Sequence, residues 1–156
     1  MIKYIKTGIA KWTYTYISFS QEGEDKILSQ MLPKKGTYLD IGCSHPIKGS
    51  NTFLLYLFGW SGTCIDIRKQ PRWWLRRRDY YEIDLITDMS EFFNYDLLDL
   101  DVDGIEESLL RTMTYHPKWI LVESFLPQQS GVPDYLESIG YELIAKTWRN
   151  GLWQKK

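Results

Sequence analysis

The sequence predicts an α/β domain, a mostly parallel β-sheet flanked by helices and closed at its C-terminal end by an antiparallel hairpin. Three observations carry that expectation. From Thr37 onward, short apolar runs of strand length alternate with segments of helical period. Each of the first five runs ends at or just before an acid. Near the C-terminus, Asn150-Gly151 separates two more strand-like runs, the strongest short hairpin signal.

The bulk composition sets bounds on function. A chain of 156 residues suits one domain and can bury a core. With 44% apolar and 25% charged residues it is ordinary for a globular protein, and a net charge of -1 gives no global attraction to nucleic acid or anionic membrane. No segment reaches the roughly 18 apolar residues of a membrane span. The N-terminus has no apolar run of signal-peptide length. Cys43 and Cys64 fall in or beside predicted parallel strands and form no metal knuckle, so a reduced, cytoplasmic setting is expected.

Taken in order, residues 1–19 lack a clean period and read as an N-terminal arm, and 20–156 as one compact domain. Ser20 suits the cap of a helix from Gln21 to Leu32, with Ile27, Leu28 and Met31 inward. Strand one is Thr37–Gly42, and Ser50 caps a helix from Asn51 to Phe58, closed by Gly59. Strand two is 62–67, and Pro71 starts a helix to Arg77. Strand three is Asp79–Ile83, followed by a weak helix at Thr87–Phe93. Strand four is Tyr95–Val102, with a helix at Ile105–Thr114, and strand five is Pro117–Glu123. A helix at Pro133–Ile139 leads into the hairpin.

In such a sheet, ligands bind at the carboxyl ends of the strands, near the switch in strand order. The acids collect there: Asp40, Asp66, Asp84, then Asp101 and Asp103, then Glu123. Asp66, after strand two, is placed to accept both ribose hydroxyls of NAD or of S-adenosylmethionine. The first turn discriminates between the two. A dinucleotide needs glycines so that backbone can approach its pyrophosphate. Gly42-Cys-Ser44-His-Pro-Ile-Lys-Gly49 puts bulky residues and a proline there, which suits a ligand without phosphates. S-adenosylmethionine fits, with Asp40 and the Ser50-Asn51-Thr52 helix start available for its amino-acid end.

Four segments, "FSQEGEDKIL", "YLDIGCSHPIKGSNTFLLYLFGWSGTCIDI", "DLLDLDVDG" and "WILVE", together resemble the FkbM-like family of S-adenosylmethionine-dependent methyltransferases across roughly residues 18–124. The resemblance implies a Rossmann-like class I methyltransferase fold and methylation of a hydroxyl, often on a sugar or small natural product. It implies a cofactor site among Glu24, Asp25, Asp40, Gly42, Ser44, Asn51, Thr52, Asp66 and Asp84. The chain departs from the family pattern at Cys43 (usually Ala), at Asp103 (usually Glu) and in a short segment from Asp84 to Asn94.

On the acceptor side, His45, Asp101 and Glu123 are the catalytic candidates. His45 could take a proton from the acceptor hydroxyl or simply bond the backbone of its turn. Asp101, Asp103 and Glu123 could hold a divalent cation or orient substrate without one. Glu24 and Asp25 could close over the cofactor or only complement their helix dipole. The strip 68–78, RKQPRWWLRRR, reads as a solvated helix face or as a surface for nucleic acid or an anionic sugar nucleotide. The function expected is O-methylation of a small-molecule or carbohydrate acceptor; the alternatives are an RNA or nucleotide methyltransferase, or a non-catalytic binding protein of the same fold.

Overall fold

A computed structural model describes residues 18–68 and 77–156. Of the expected arm, only Ser18 and Phe19 fall within them, and of the helix expected at Pro71–Arg77 only Arg77. The strands are β1 (Thr37–Ile41), β2 (Ser61–Asp66), β3 (Tyr80–Ile83), β4 (Leu97–Leu100), β5 (Trp119–Glu123), β6 (Tyr141–Lys146) and β7 (Asn150–Lys155). They form one mixed sheet in the order β3-β2-β1-β4-β5-β7-β6. β1 pairs in parallel with β2 and with β4, β2 with β3, and β4 with β5. β7 runs antiparallel between β5 and β6. The α-helices are α1 (Glu24–Met31), α2 (Phe53–Leu57), α3 (Glu106–Leu110) and α4 (Gly131–Ser138).

Strand period assigns the two faces. Leu39, Ile41, Leu98, Leu100, Ile120 and Val122 point to one side, where α3 and α4 bring Leu109, Leu110, Val132 and Leu136. Their neighbours Tyr38, Leu97, Trp119 and Leu121 point to the other, under Leu28 of α1 and Leu55 of α2. The same parity puts Asp40 and Asp99, direct partners across β1 and β4, on the α1/α2 side. Cys43 and Cys64 are buried free thiols. Among the described residues, no helix is long and apolar enough to cross a membrane.

Several elements differ from expectation. α1 starts three residues late because Gly23 holds φ 87, a left-handed entry. Ser20 still serves that entry, its Oγ accepting from Gly23 N at 3.1 Å. Met31 faces solvent rather than the core. No helix forms at Thr87–Phe93. Met89 is instead driven fully into the core, its N–H donates to Thr112 Oγ1 at 2.8 Å, and Asp88 Oδ1 accepts from Ser90 N. β4 is four residues long, and α2 and α3 are five each, all shorter than read. Ile105 lies outside α3 and is exposed.

The hairpin does not turn at Asn150-Gly151. Thr147 N donates to Asn150 O at 2.9 Å, so the loop is Trp148-Arg149 and the Asn-Gly pair begins β7. Both residues have other uses. Asn150 Nδ2 donates to buried Glu24 at 2.9 Å. A Cβ on Gly151 would stand 2.6 Å from the Trp153 indole nitrogen.

Candidate functional site

β1 lies between β2 and β4, so successive crossovers leave it in opposite directions. A cleft of about 230 Å³ opens there, at the carboxyl ends of these three strands. Ile41, Ile65, Ile86 and Val102 supply its apolar wall; Gly42, Ser44, Asp66, Asp84, Asp101 and Asp103 supply most of its polar surface, with Gln21 and Arg68.

Gly42 makes the cleft floor possible. Its φ is 86, and a Cβ there would stand 1.8 Å from the Asp101 carbonyl oxygen. The crowding follows from the sheet itself, since Asp101 N donates to Ile41 O and Gly42 N to Ile65 O. The chain then turns through Ser44, at φ 46, whose N–H donates to Asp66 Oδ2 at 2.8 Å. Asp66 Oδ1 accepts from Arg68 N at 2.7 Å. Among the described residues each carboxylate oxygen of Asp66 thus retains a lone pair, directed by a rigid backbone frame. Asp84 continues the wall, its N–H bonded to Asp66 O and its Oδ1 accepting from Leu85 N.

At the other end Asp101 opens onto the cleft while its surroundings are crowded. Loss of water, then the Asp103 and Glu106 carboxylates, push its pKa up to about 6. Behind it Glu123 is also raised, by burial and by Asp101 and Glu106, with the Arg149 guanidinium opposing. Asp103 sits in a left-handed turn at φ 56. The three acids closest together here are Asp101, Glu106 and Glu123, with ligand atoms all within 4.8 Å of one another, so Glu106 takes the place expected of Asp103.

The other candidates do not line the cleft. His45 Nδ1 accepts from Ile47 N at 3.1 Å and from Lys48 N at 3.0 Å. Two N–H donors at Nδ1 fix the tautomer with its proton on Nε2, so neither nitrogen has a lone pair free for an acceptor proton. This is the turn-building role. Asp25 is fully buried and accepts from Ser18 Oγ, Phe19 N, Ser20 Oγ and Lys26 N. Glu24 accepts from Glu22 N, Thr147 Oγ1 and Asn150 Nδ2, tying α1 to the hairpin. Neither carboxylate can also close over a cofactor. Asp40 accepts from Thr52 Oγ1 at 2.6 Å and Asp99 from Asn51 Nδ2 at 3.2 Å, and both are buried and absent from the cleft lining. Burial pushes Asp40 up to about 7, despite the help of Thr52 and Arg77, and raises Asp99 well above the usual carboxylate range.

Within the basic strip, 69–76 fall outside the described residues. Its ends are not a simple solvated face. Arg68 lines the cleft, and Arg77 is buried on Asp79, the Tyr38 hydroxyl and the Pro46 carbonyl. Four residues near the site went unread in the sequence: Asp99, Glu106, Gln129 and Arg149. Glu106 alone had a legible signal, an acid two residues past a turn glycine, which here collects the Val102 and Gly104 N–H groups. No family model, curated protein or solved structure matches this chain.

Proposed function

We propose that this protein is an S-adenosylmethionine-dependent methyltransferase acting on an acceptor oxygen, with a Rossmann-like class I methyltransferase fold. The strand order supports the fold reading: β7 alone is reversed, inserted between β5 and β6. One observation carries the cofactor reading. Asp66 stands at the tip of β2, framed by the Gly42–Ser44 turn, in a cleft where, among the described residues, four carboxylates face one cation. Acidic walls repel a pyrophosphate and suit a ligand that brings a sulfonium, an ammonium, hydroxyls and an exocyclic amine.

On this reading Asp66 accepts from the ribose hydroxyls, and Asp84 with Ile67, Leu85 and Ile86 holds the adenine. The methionine end runs past Ser44 and Gly42 toward Asp101 and Asp103. The cofactor brings the activated methyl. The chain aligns an acceptor oxygen with the sulfur–methyl bond and offers the Asp101 carboxylate as the group that takes or orders its proton. S-adenosylhomocysteine should raise the melting temperature, because a ligand bound by the native state stabilises it. A shift with NADH and none with S-adenosylhomocysteine would sink the cofactor assignment.

A further inference from the structure

We propose that Asp101, Glu106 and Glu123, together with the side-chain oxygen of Gln129, form a binding site for a hard divalent cation beside the cleft. The carboxylate ligand atoms lie within 4.8 Å of one another. A second, independent feature is Gln129. It is 1% exposed, and its Oε1 has no hydrogen-bond partner among the described residues. Its amide is held against the cluster because Nε2 donates to Glu106 Oε2. The amide cannot be reversed without setting an oxygen against the Glu106 carboxylate, so the orphaned atom is the oxygen. A buried carbonyl without a donor is costly, and a cation satisfies it as well as an N–H does.

The remaining valences agree. Glu106 Oε2 already takes Gly104 N and Gln129 Nε2, but among the described residues Oε1 takes only Val102 N and keeps a lone pair. Arg149 stands 3.7 Å from Glu123, beyond hydrogen-bonding reach, and spends its bonds on Glu22 at 3.0 Å and Gln21 at 2.5 Å. Asp101, Glu106 and Glu123 carry three negative charges when ionised, and Arg149 is shared with Glu22, so a divalent cation reduces an excess the guanidinium does not neutralise. All four ligands are oxygens, the preference of Ca²⁺, Mg²⁺ and Mn²⁺. A mutual separation of no more than 4.8 Å admits either ion, and the looser coordination geometry of Ca²⁺ makes it the first probe. Asp101 links the site to the cleft. On the methyltransferase reading, and only there, a cation in this position would polarise the acceptor hydroxyl.

The test is calcium binding by chelator-treated, desalted protein, followed by titration calorimetry with no S-adenosyl compound present. Its outcome is therefore independent of the cofactor assignment. Saturable binding of one Ca²⁺ per chain is expected. Glu123→Gln and Gln129→Leu should each weaken it at least about tenfold, while Glu137→Gln on the exposed side of α4 should leave it unchanged. Gln129→Glu keeps the shape but replaces the donor to Glu106 with a second acceptor. Its melting temperature should rise more with calcium than that of the unmodified protein. Absence of saturable binding for Ca²⁺, Mn²⁺ and Mg²⁺ overturns the proposal. So does unchanged affinity in Gln129→Leu, or a calcium response in Gln129→Glu no larger than that of the unmodified protein; either means a water, not a cation, answers Oε1.

Discussion

The acids of this chain divide between two regions that look alike in sequence and behave differently in the fold. Asp66, Asp84, Asp101 and Asp103 sit at strand tips with oxygen valences facing a cleft. Glu24, Asp25, Asp40 and Asp99 lie beneath or within the α1/α2 layer, almost without solvent, and turn to internal donors. One residue of chain separates the two fates. Asp40 and Asp99 are the last residues of β1 and β4 on the face covered by α1 and α2, whereas Asp101 lies past the end of β4. A carboxylate's neighbourhood, more than its identity, decides whether it binds a ligand or builds the frame.

The largest expected effect comes from breaking the frame. Asp25→Ala removes the acceptor for Ser18 Oγ, Phe19 N, Ser20 Oγ and Lys26 N together. At about 1 kcal/mol for each bond, stability should fall by about 3–4 kcal/mol. Asp84→Ala, an exposed cleft acid, should stay within about 0.5 kcal/mol. Urea unfolding of the two variants measures the contrast, and equal losses would erase the distinction between the regions.

The second expectation concerns pH. Asp40 is pushed up to about 7, first by burial, with Asp79 and Asp101 adding repulsion and Thr52 and Arg77 opposing. A carboxyl whose folded pKa is raised binds its proton more tightly in the native state. Its stabilisation is complete below about pH 4 and is lost as pH rises through about 7. Between about pH 5 and pH 8 stability should therefore fall by roughly 2 kcal/mol. Asp40→Asn keeps an oxygen for Thr52 and cannot ionise, so its profile should be flatter over that window. A profile for Asp40→Asn as steep as that of the unmodified protein would mean the slope arises elsewhere.

The third prediction asks whether the two regions share the ligand. Asp66→Asn should weaken S-adenosylhomocysteine binding about tenfold or more, by removing a charged acceptor for two hydroxyls. Asp40→Asn should leave the affinity within about threefold, since its carboxylate is sealed behind Thr52. Equal weakening in both variants would place the ligand's amino-acid end deeper than the cleft floor.

Much of the frame was legible because buried parallel strands read as apolar runs: "YLDI", "TCIDI" and "WILVE" each overlap most of a strand. Asp66 was legible for the same reason, since the end of β2 fixes its place. What could not be read was which local signal a distant contact would override. Asn150-Gly151 has the chemistry of a turn, yet Glu24 claims the Asn150 amide and Trp153 requires the missing Cβ of Gly151. The segment 87–93 has a weak helical pattern, but burying Met89 outweighs it. Asp99 and Asp101 differ by one strand period in "LLDLDV", and only the strand's true end separates a core acid from a cleft acid.

The smallest expected effect belongs to His45, where a residue beside the cleft behaves like part of the frame. Its Nδ1 serves the Ile47 and Lys48 N–H groups, and its proton is left on Nε2. Asparagine presents an oxygen near the position of Nδ1 and commonly accepts from backbone N–H groups two or three residues ahead. His45→Asn should therefore keep stability within about 0.5 kcal/mol and lower methyl transfer by less than about threefold. A general base lost at that position would instead cost about a hundredfold or more. Nitrogen-15 shifts of the imidazole provide a check that needs no acceptor, since the neutral ring should show the Nε2–H tautomer. Finding the proton on Nδ1 would free Nε2 as an acceptor, undo the turn assignment and return His45 to the catalytic side of the comparison.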